Sequence, residues 1–451
     1  MKEKVVSIGL LGVAWTLGLV LPHFQPDPSI FELLLGSVVV MVIAYSLWSV
    51  MNIAFLNSLR VGYLLTASST VIFLSGYFLL QMGSPTLYDL WSHLGSGTME
   101  FDGSLFPFGD LVHFTAAATC FTGIKIGANA CDPWQRAFNQ NPDIPRVLDS
   151  IGLTNVDLLG TGSYLFLTLL LVLIIWKRNL KNIAFVIFIV SPPFVLAVDR
   201  GNEIISIWLI LLGLISLESK NKYIKCLAII FLPAAAVFKL WPVLLIALMG
   251  LYANKTNRKY VLVAFAVSAG YWLISLGDIP KMLSATQSGS PHGVAFGVKL
   301  FLSDQTTLIN VGYLTTLAIL IASLWVKCFG RSFTTALGST IRDPRFTVLI
   351  PTMLTYVGIW FISDSFIYRM LILLPALLIL ISEDLLSQIW AKGLVVGILV
   401  TVLSSRLAIT TAISSALALI FLFVSIMYSW NRIQNYSSQR QVSVTGISDT
   451  R

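Results

Sequence analysis

One carboxylate and three cations stand out in a chain that is otherwise poor in charge. Asp110 sits in FPFGDLVHFTAAATCFTG, Arg200 in VDRGNEI, Lys239 in FKLWP and Arg369 in SDSFIYRML. Charges set among apolar residues are costly and often mark a site. A carboxylate with several cations suits displacement of an anionic leaving group. The carboxylate takes a proton from an attacking hydroxyl while the cations stabilise the departing charge. General-base help of this kind is worth about 10²- to 10⁴-fold, and loss of one contact to developing charge costs about 3 kcal/mol. Asn202, Glu203, Asp364, Tyr368 and His292 lie in the same polar insertions or in a nearby glycine-bearing loop and are candidate substrate contacts. Each has a plainer reading. Asp110 would also serve as a helix N-cap, Asp364 and Arg369 could pair with each other, Lys239 could meet a structural partner, and a lone loop histidine is commonly just solvated.

The elements that carry these residues belong in lipid. Hydrophobic residues fill 56% of 451 positions, charged residues 11%, and mean hydropathy is +0.84. A bilayer core of about 30 Å takes about 20 apolar residues as helix. Such runs lie near 5 to 22, 32 to 56, 61 to 82, 161 to 176, 182 to 198, 203 to 217, 259 to 276, 307 to 327, 346 to 362, 367 to 383, 391 to 405 and 407 to 429. With re-entrant pieces the total comes to about fourteen membrane-crossing or membrane-dipping segments. The expected fold is an all-α transmembrane bundle over residues 1 to 430, with one large outer loop at 83 to 158. A polar segment from 431 to 451 is expected to be a disordered cytoplasmic tail. No small-x-small cleavage site follows the first span, so it is read as an uncleaved helix.

Sidedness follows from lysine and arginine, which are retained in the cytoplasm. With both termini inside, 20 of the 29 basic residues but only 6 of the 21 acidic ones fall on the cytoplasmic side. The positive net charge then reports topology, and nucleic acid is not an expected partner. Residues 226 to 251 have basic flanks at both ends, and a single crossing would invert every later loop. They are therefore expected to form a hairpin entering and leaving on the cytoplasmic side, broken near Pro233 and Pro242, with Lys239 deep in the protein at its tip. Asp110, Arg200 and Arg369 then share the opposite, extracytoplasmic side. Cys120 and Cys131 share the outer loop, where a disulfide is possible, and no zinc or haem spacing occurs.

Four strings in order resemble the integral membrane glycosyltransferases of the GT-C class, and within it glycosyltransferase family 87, which is polyprenol-phosphate-sugar-dependent and mannosyltransferase-like. They are GDLVHFTAAATCFTGIKIGANACDP, DRGNE, AAAVFKLWPVLL and FIYRMLILLP. The resemblance covers about residues 60 to 385 and implies a GT-C-like fold, Asp110 as catalytic base and inversion at the anomeric carbon. It further implies a polyprenyl-phosphate monosaccharide as donor, with its phosphate on Arg200 and Lys239 assisted by Arg369. Asp132, at the end of the loop motif, becomes a candidate substrate contact. The acceptor would be a glycolipid or glycan hydroxyl. Where the family has a Tyr-Pro stretch, this chain has FNQNPDIPRVLDSIGL. No Asp-x-Asp pair occurs in the outer loops, so no metal and no cofactor beyond the lipid-linked co-substrate is expected. The setting would be a bacterial plasma (inner) membrane. Competing readings are a transporter or flippase, which would more often show two related halves, an O-antigen polymerase or ligase, and a structural subunit of an envelope complex.

Overall fold

The computed structural model describes residues 29–52, 99–101, 104–106, 111, 115, 143–178, 180, 183–189, 191–277, 295–296, 308–340, 343–362, 365–405, 407 and 409–445. Most of these are helical, with two short antiparallel ladders and brief turns between the helices. The helices are α1 (Ile30–Met51), α2 (Asp143–Ser150), α3 (Val156–Arg178), α4 (Ile183–Ile189), α5 (Pro192–Arg200), α6 (Asn202–Glu218), α7 (Lys222–Cys226), α8 (Ala228–Phe238) and α9 (Trp241–Tyr252). They continue as α10 (Lys255–Ile274), α11 (Leu308–Trp325), α12 (Arg331–Thr340), α13 (Phe346–Ile362), α14 (Leu373–Leu380), α15 (Glu383–Leu386), α16 (Ile389–Leu403) and α17 (Thr410–Thr445). A π-turn, Val326–Gly330, joins α11 to α12, and a 3-10 segment, Ile367–Ile372, leads into α14. Strand β1 (Met99–Phe101) pairs with β2 (Ser104–Phe106), and β3 (Ala295–Phe296) with β4 (Ser365–Phe366).

Local chemistry sets the helix ends. Ser29 and Glu32 form a reciprocal capping box at the start of α1, each side chain accepting from the other's backbone N–H. Asn254 caps α10 by accepting from Asn257 N at 2.9 Å. Among the described residues, four helical stretches are long and apolar enough to cross a membrane: Glu32–Met51, Leu158–Arg178, Leu308–Gly338 and Thr410–Asn435. The bent pair α5 and α6 makes a fifth if it counts as one span. Shorter apolar helices occupy Trp241–Tyr252, Phe346–Phe361, Arg369–Leu380 and Ile389–Leu403. The runs near 5 to 22 and 61 to 82 lie outside the described residues, as does nearly all of the loop from 83 to 142.

The apolar stretch from 226 to 251 folds as a hairpin. Lys225 Nζ donates to Asn257 at one end of α10, and Trp272 Nε1 donates to the Ala236 carbonyl near the other, so α8 runs parallel to α10. Helix α9 returns antiparallel to α10, with Gly250 beside Val261 and Leu262. The break falls at Lys239, which is extended at φ −142° and ψ 146°. Pro233 does not break the hairpin as expected but lies inside α8. Pro242 sits in the first turn of α9, where a missing N–H costs nothing. A second correction concerns the tail. Helix α17 continues to Thr445 where disorder from 431 was expected, because extending an existing helix is far easier than nucleating one.

Contacts sort the helix ends into two groups that match the charge count. Arg178 bonds Glu218, Lys225 bonds Asn257, Arg432 Nη1 donates to the Tyr252 carbonyl, and Lys392 Nζ donates to Asn52. Every cation in that set was assigned to the basic side. Tyr271 donates to Asp143 at 2.7 Å at the other end, and the β3–β4 ladder joins the loop after α10 to the loop after α13. The basic end is closed by Arg345, whose guanidinium holds Asp343 at 2.6 Å and Asp384 at 2.5 Å. Hydrogen bonds from Arg345 hold the Asp384 carboxyl down at about 2, and the same bonds push the guanidinium still higher.

Candidate functional site

Two chain breaks meet at the less basic end. The first joins α5 to α6 through Gly201, at φ 78° and ψ −38°, and turns the chain by 102°. That backbone lies where L side chains are strained, and glycine is the residue that tolerates it. The second break is the hairpin tip at Lys239. Helix α6 packs along α8 closely enough that a Cβ on Gly213 would come within 2.6 Å of the Leu232 side chain. This packing brings the first turn of α6 against the tip.

Glu203, in that first turn, is fully buried. Trp241 Nε1 donates to its Oε1 at 2.7 Å, and Lys239 Nζ stands 3.9 Å from its Oε2. Lys239 itself is only 10% exposed, so both charges are out of water. The 3.9 Å separation is an ion pair without a hydrogen bond, and Glu203 Oε2 makes no hydrogen bond. A buried carboxylate carries a large desolvation cost unless its lone pairs are filled. Its position at the N-terminus of α6 offsets part of that cost through the helix dipole. One turn on, Ser206 Oγ is also buried without a hydrogen-bond partner.

Arg200 closes α5, with its Nε buried. The 3-10 segment that carries Arg369 packs against α5 and α6. Three of the four motif segments therefore come together: the turn around Gly201, the hairpin tip, and the segment with Arg369. Asn202 is the first residue of α6, and Tyr368 lies in the 3-10 segment. Asp110, Asp132, His292 and Asp364 lie outside the described residues, as do Cys120 and Cys131. Cys226 and Cys328 are free and exposed. No group of three or more potential metal ligands occurs among the described residues.

The sequence reading did not single out Trp241. Its signal is its place two residues after Lys239 at the tip of an apolar hairpin, where an indole N–H needs a partner when buried. Chemically the arrangement offers a buried cation, a carboxylate with an unused lone pair and a flanking arginine, a set that can hold an anionic group beside a hydroxyl-bearing one. No protein-family model, curated protein or solved structure matches this chain.

Proposed function

We propose that the chain is a membrane glycosyltransferase of GT-C type. It moves a monosaccharide from a polyprenyl-phosphate donor to a lipid or glycan hydroxyl on the extracytoplasmic face, with inversion and with Asp110 as base. The observation that carries this reading is the buried cluster of Glu203, Lys239 and Trp241 at two meeting chain breaks, beside Arg200 and Arg369. A donor phosphate would draw Lys239 away from Glu203, an exchange eased because the pair lacks a hydrogen bond at 3.9 Å. Glu203 Oε2 would then accept from a sugar hydroxyl, filling its unused lone pair. Arg200 and Arg369 add charge at the rim of the same break.

Transfer by purified protein, using a set of polyprenyl-phosphate sugars and extracted glycolipid acceptors, tests the reading. Asp110→Asn is expected to lower turnover by at least about 10² with folding unchanged. Near-normal turnover would remove Asp110 from the base role. A second reading is favoured by one observation: the 102° break between α5 and α6 resembles the discontinuous helices around which transporters bind substrate. Uptake of lipid-linked sugar by proteoliposomes without any transfer would favour it.

A further inference from the structure

The Ser206 hydroxyl is fully buried on α6 and makes no hydrogen bond. A buried hydroxyl in a helix has an easy partner in its own backbone. Ser216, Ser268, Thr352, Thr355 and Thr401 each donate to the carbonyl four residues back, at 2.7–2.8 Å. Ser206 does not make that bond, and a buried polar group left without a partner carries a cost that a ligand can remove.

The packing of α6 shows where this hydroxyl lies. Seven residues make nearly two full turns, so Ser206 shares a face with Gly213. Gly213 stands against Leu232 of α8. Helix α6 runs toward the basic end at Glu218, whereas α8 leaves that end just after Lys225, so the two are antiparallel. Two turns back from Gly213 on α6 therefore match two turns on from Leu232, which is Lys239. Ser206 is level with the hairpin tip and one turn from Glu203. Glu203 Oε1 takes the Trp241 indole N–H, and Oε2 makes no hydrogen bond. Two unfilled oxygens thus stand on neighbouring turns, about 4.5 Å apart along the helix axis. One only accepts, and the other both donates and accepts. Leu240, next to Lys239, is 49% exposed, so the pair lies just under the surface of the tip.

We infer that Ser206 is a specificity-determining residue, holding together with Glu203 two adjacent hydroxyls of the donor sugar. The inference rests on the transferase reading and extends it. One hydroxyl donates to Glu203 Oε2, and its neighbour on the ring bonds Ser206 Oγ. The carboxylate repels a phosphate from this side, which leaves the phosphate to Lys239. A sugar that lacks either hydroxyl leaves a buried oxygen unfilled and is disfavoured.

Binding to the full chain in detergent tests this, with wild type compared with Ser206→Ala. The probes are polyprenyl-phosphate mannose, glucose and galactose, and the monodeoxy analogues of whichever binds tightest. Wild type is expected to bind two analogues, those lacking one or other of two adjacent hydroxyls, about tenfold more weakly than the parent. Ser206→Ala is expected to bind the parent about tenfold more weakly, yet to bind one of those two analogues as wild type does, because that sugar already lacks the partner. Its unliganded thermal midpoint should equal or exceed that of wild type, since the exchange removes a buried hydroxyl with no partner. Unchanged affinity for the parent, or an equal loss on every analogue, would overturn the role of Ser206 and leave the transferase reading standing. A lower unliganded midpoint in Ser206→Ala would mark a structural hydroxyl and overturn it as well. Sensitivity of wild type to a single deoxy position would overturn the pairing of two hydroxyls. Wild type that binds none of the three sugars would remove the transferase reading and this inference with it.

Discussion

Arg345 and Glu203 are both charged groups clamped between helices, and the protein treats them in opposite ways. Arg345 is about one-third exposed, and its guanidinium donates to Asp343, Asp384 and Ser382 at 2.5 to 3.0 Å. Glu203 is fully buried, with one neutral donor at 2.7 Å and a lysine out of hydrogen-bond reach at 3.9 Å. The first arrangement is saturated and ties the start of α13 to α15. The second keeps a desolvated charge that better-matched partners would relieve. Proteins retain such local conflicts chiefly at functional sites, and that contrast separates a staple from a candidate site within one bundle.

The largest effect that sharpens the contrast comes from Lys239→Ala. It strands the Glu203 carboxylate in a buried position and is expected to cost about 3 kcal/mol, read from the thermal midpoint in detergent. Glu203→Gln combined with Lys239→Met removes both charges and should recover most of that loss. A single variant no less stable than the double would dissolve the distinction. Next comes Gly201→Ala, which forces an L side chain into the strained turn between α5 and α6. It should cost about 1–3 kcal/mol and leave the basic end unaffected.

The smallest effect lies at Arg345. Asp384→Asn is expected to cost at most about 1 kcal/mol, because Asp384 is 63% exposed and solvent screens the pair. Its pH dependence has a definite sign. The folded-state carboxyl is held at about 2, below the value of about 3.9 for an unfolded chain. The contribution is therefore complete above about 4 and is lost as pH falls toward 2. Acid titration of wild type should show this loss, and Asp384→Asn should not.

Much of the frame was legible because lipid imposes simple rules. The expected span at 346 to 362 coincides with α13, and the run at 307 to 327 with the start of Leu308–Gly338. Basic flanks pointed to the hairpin, and the prolines at 233 and 242 bracketed its tip at Lys239. Proline misled in detail: Pro233 sits inside α8 because packing against α6 and α10 supports the helix around it. The site was half legible. Charges in apolar sequence marked Arg200, Glu203, Lys239 and Arg369, yet no pattern told that Glu203 would face Lys239, since that contact depends on how α6 packs against the hairpin. Trp241 looked like one more membrane aromatic until its indole was seen to donate to a carboxylate.

The Glu203 and Lys239 cluster is proposed to bind the phosphate of a lipid-linked sugar. Binding of a polyprenyl-phosphate mannose to detergent-solubilised wild type, compared with the Glu203→Gln/Lys239→Met double variant, tests it without stranding a buried charge. The double variant is expected to bind at least about tenfold more weakly, with its thermal midpoint close to wild type. Equal affinity in two equally stable proteins would contradict it.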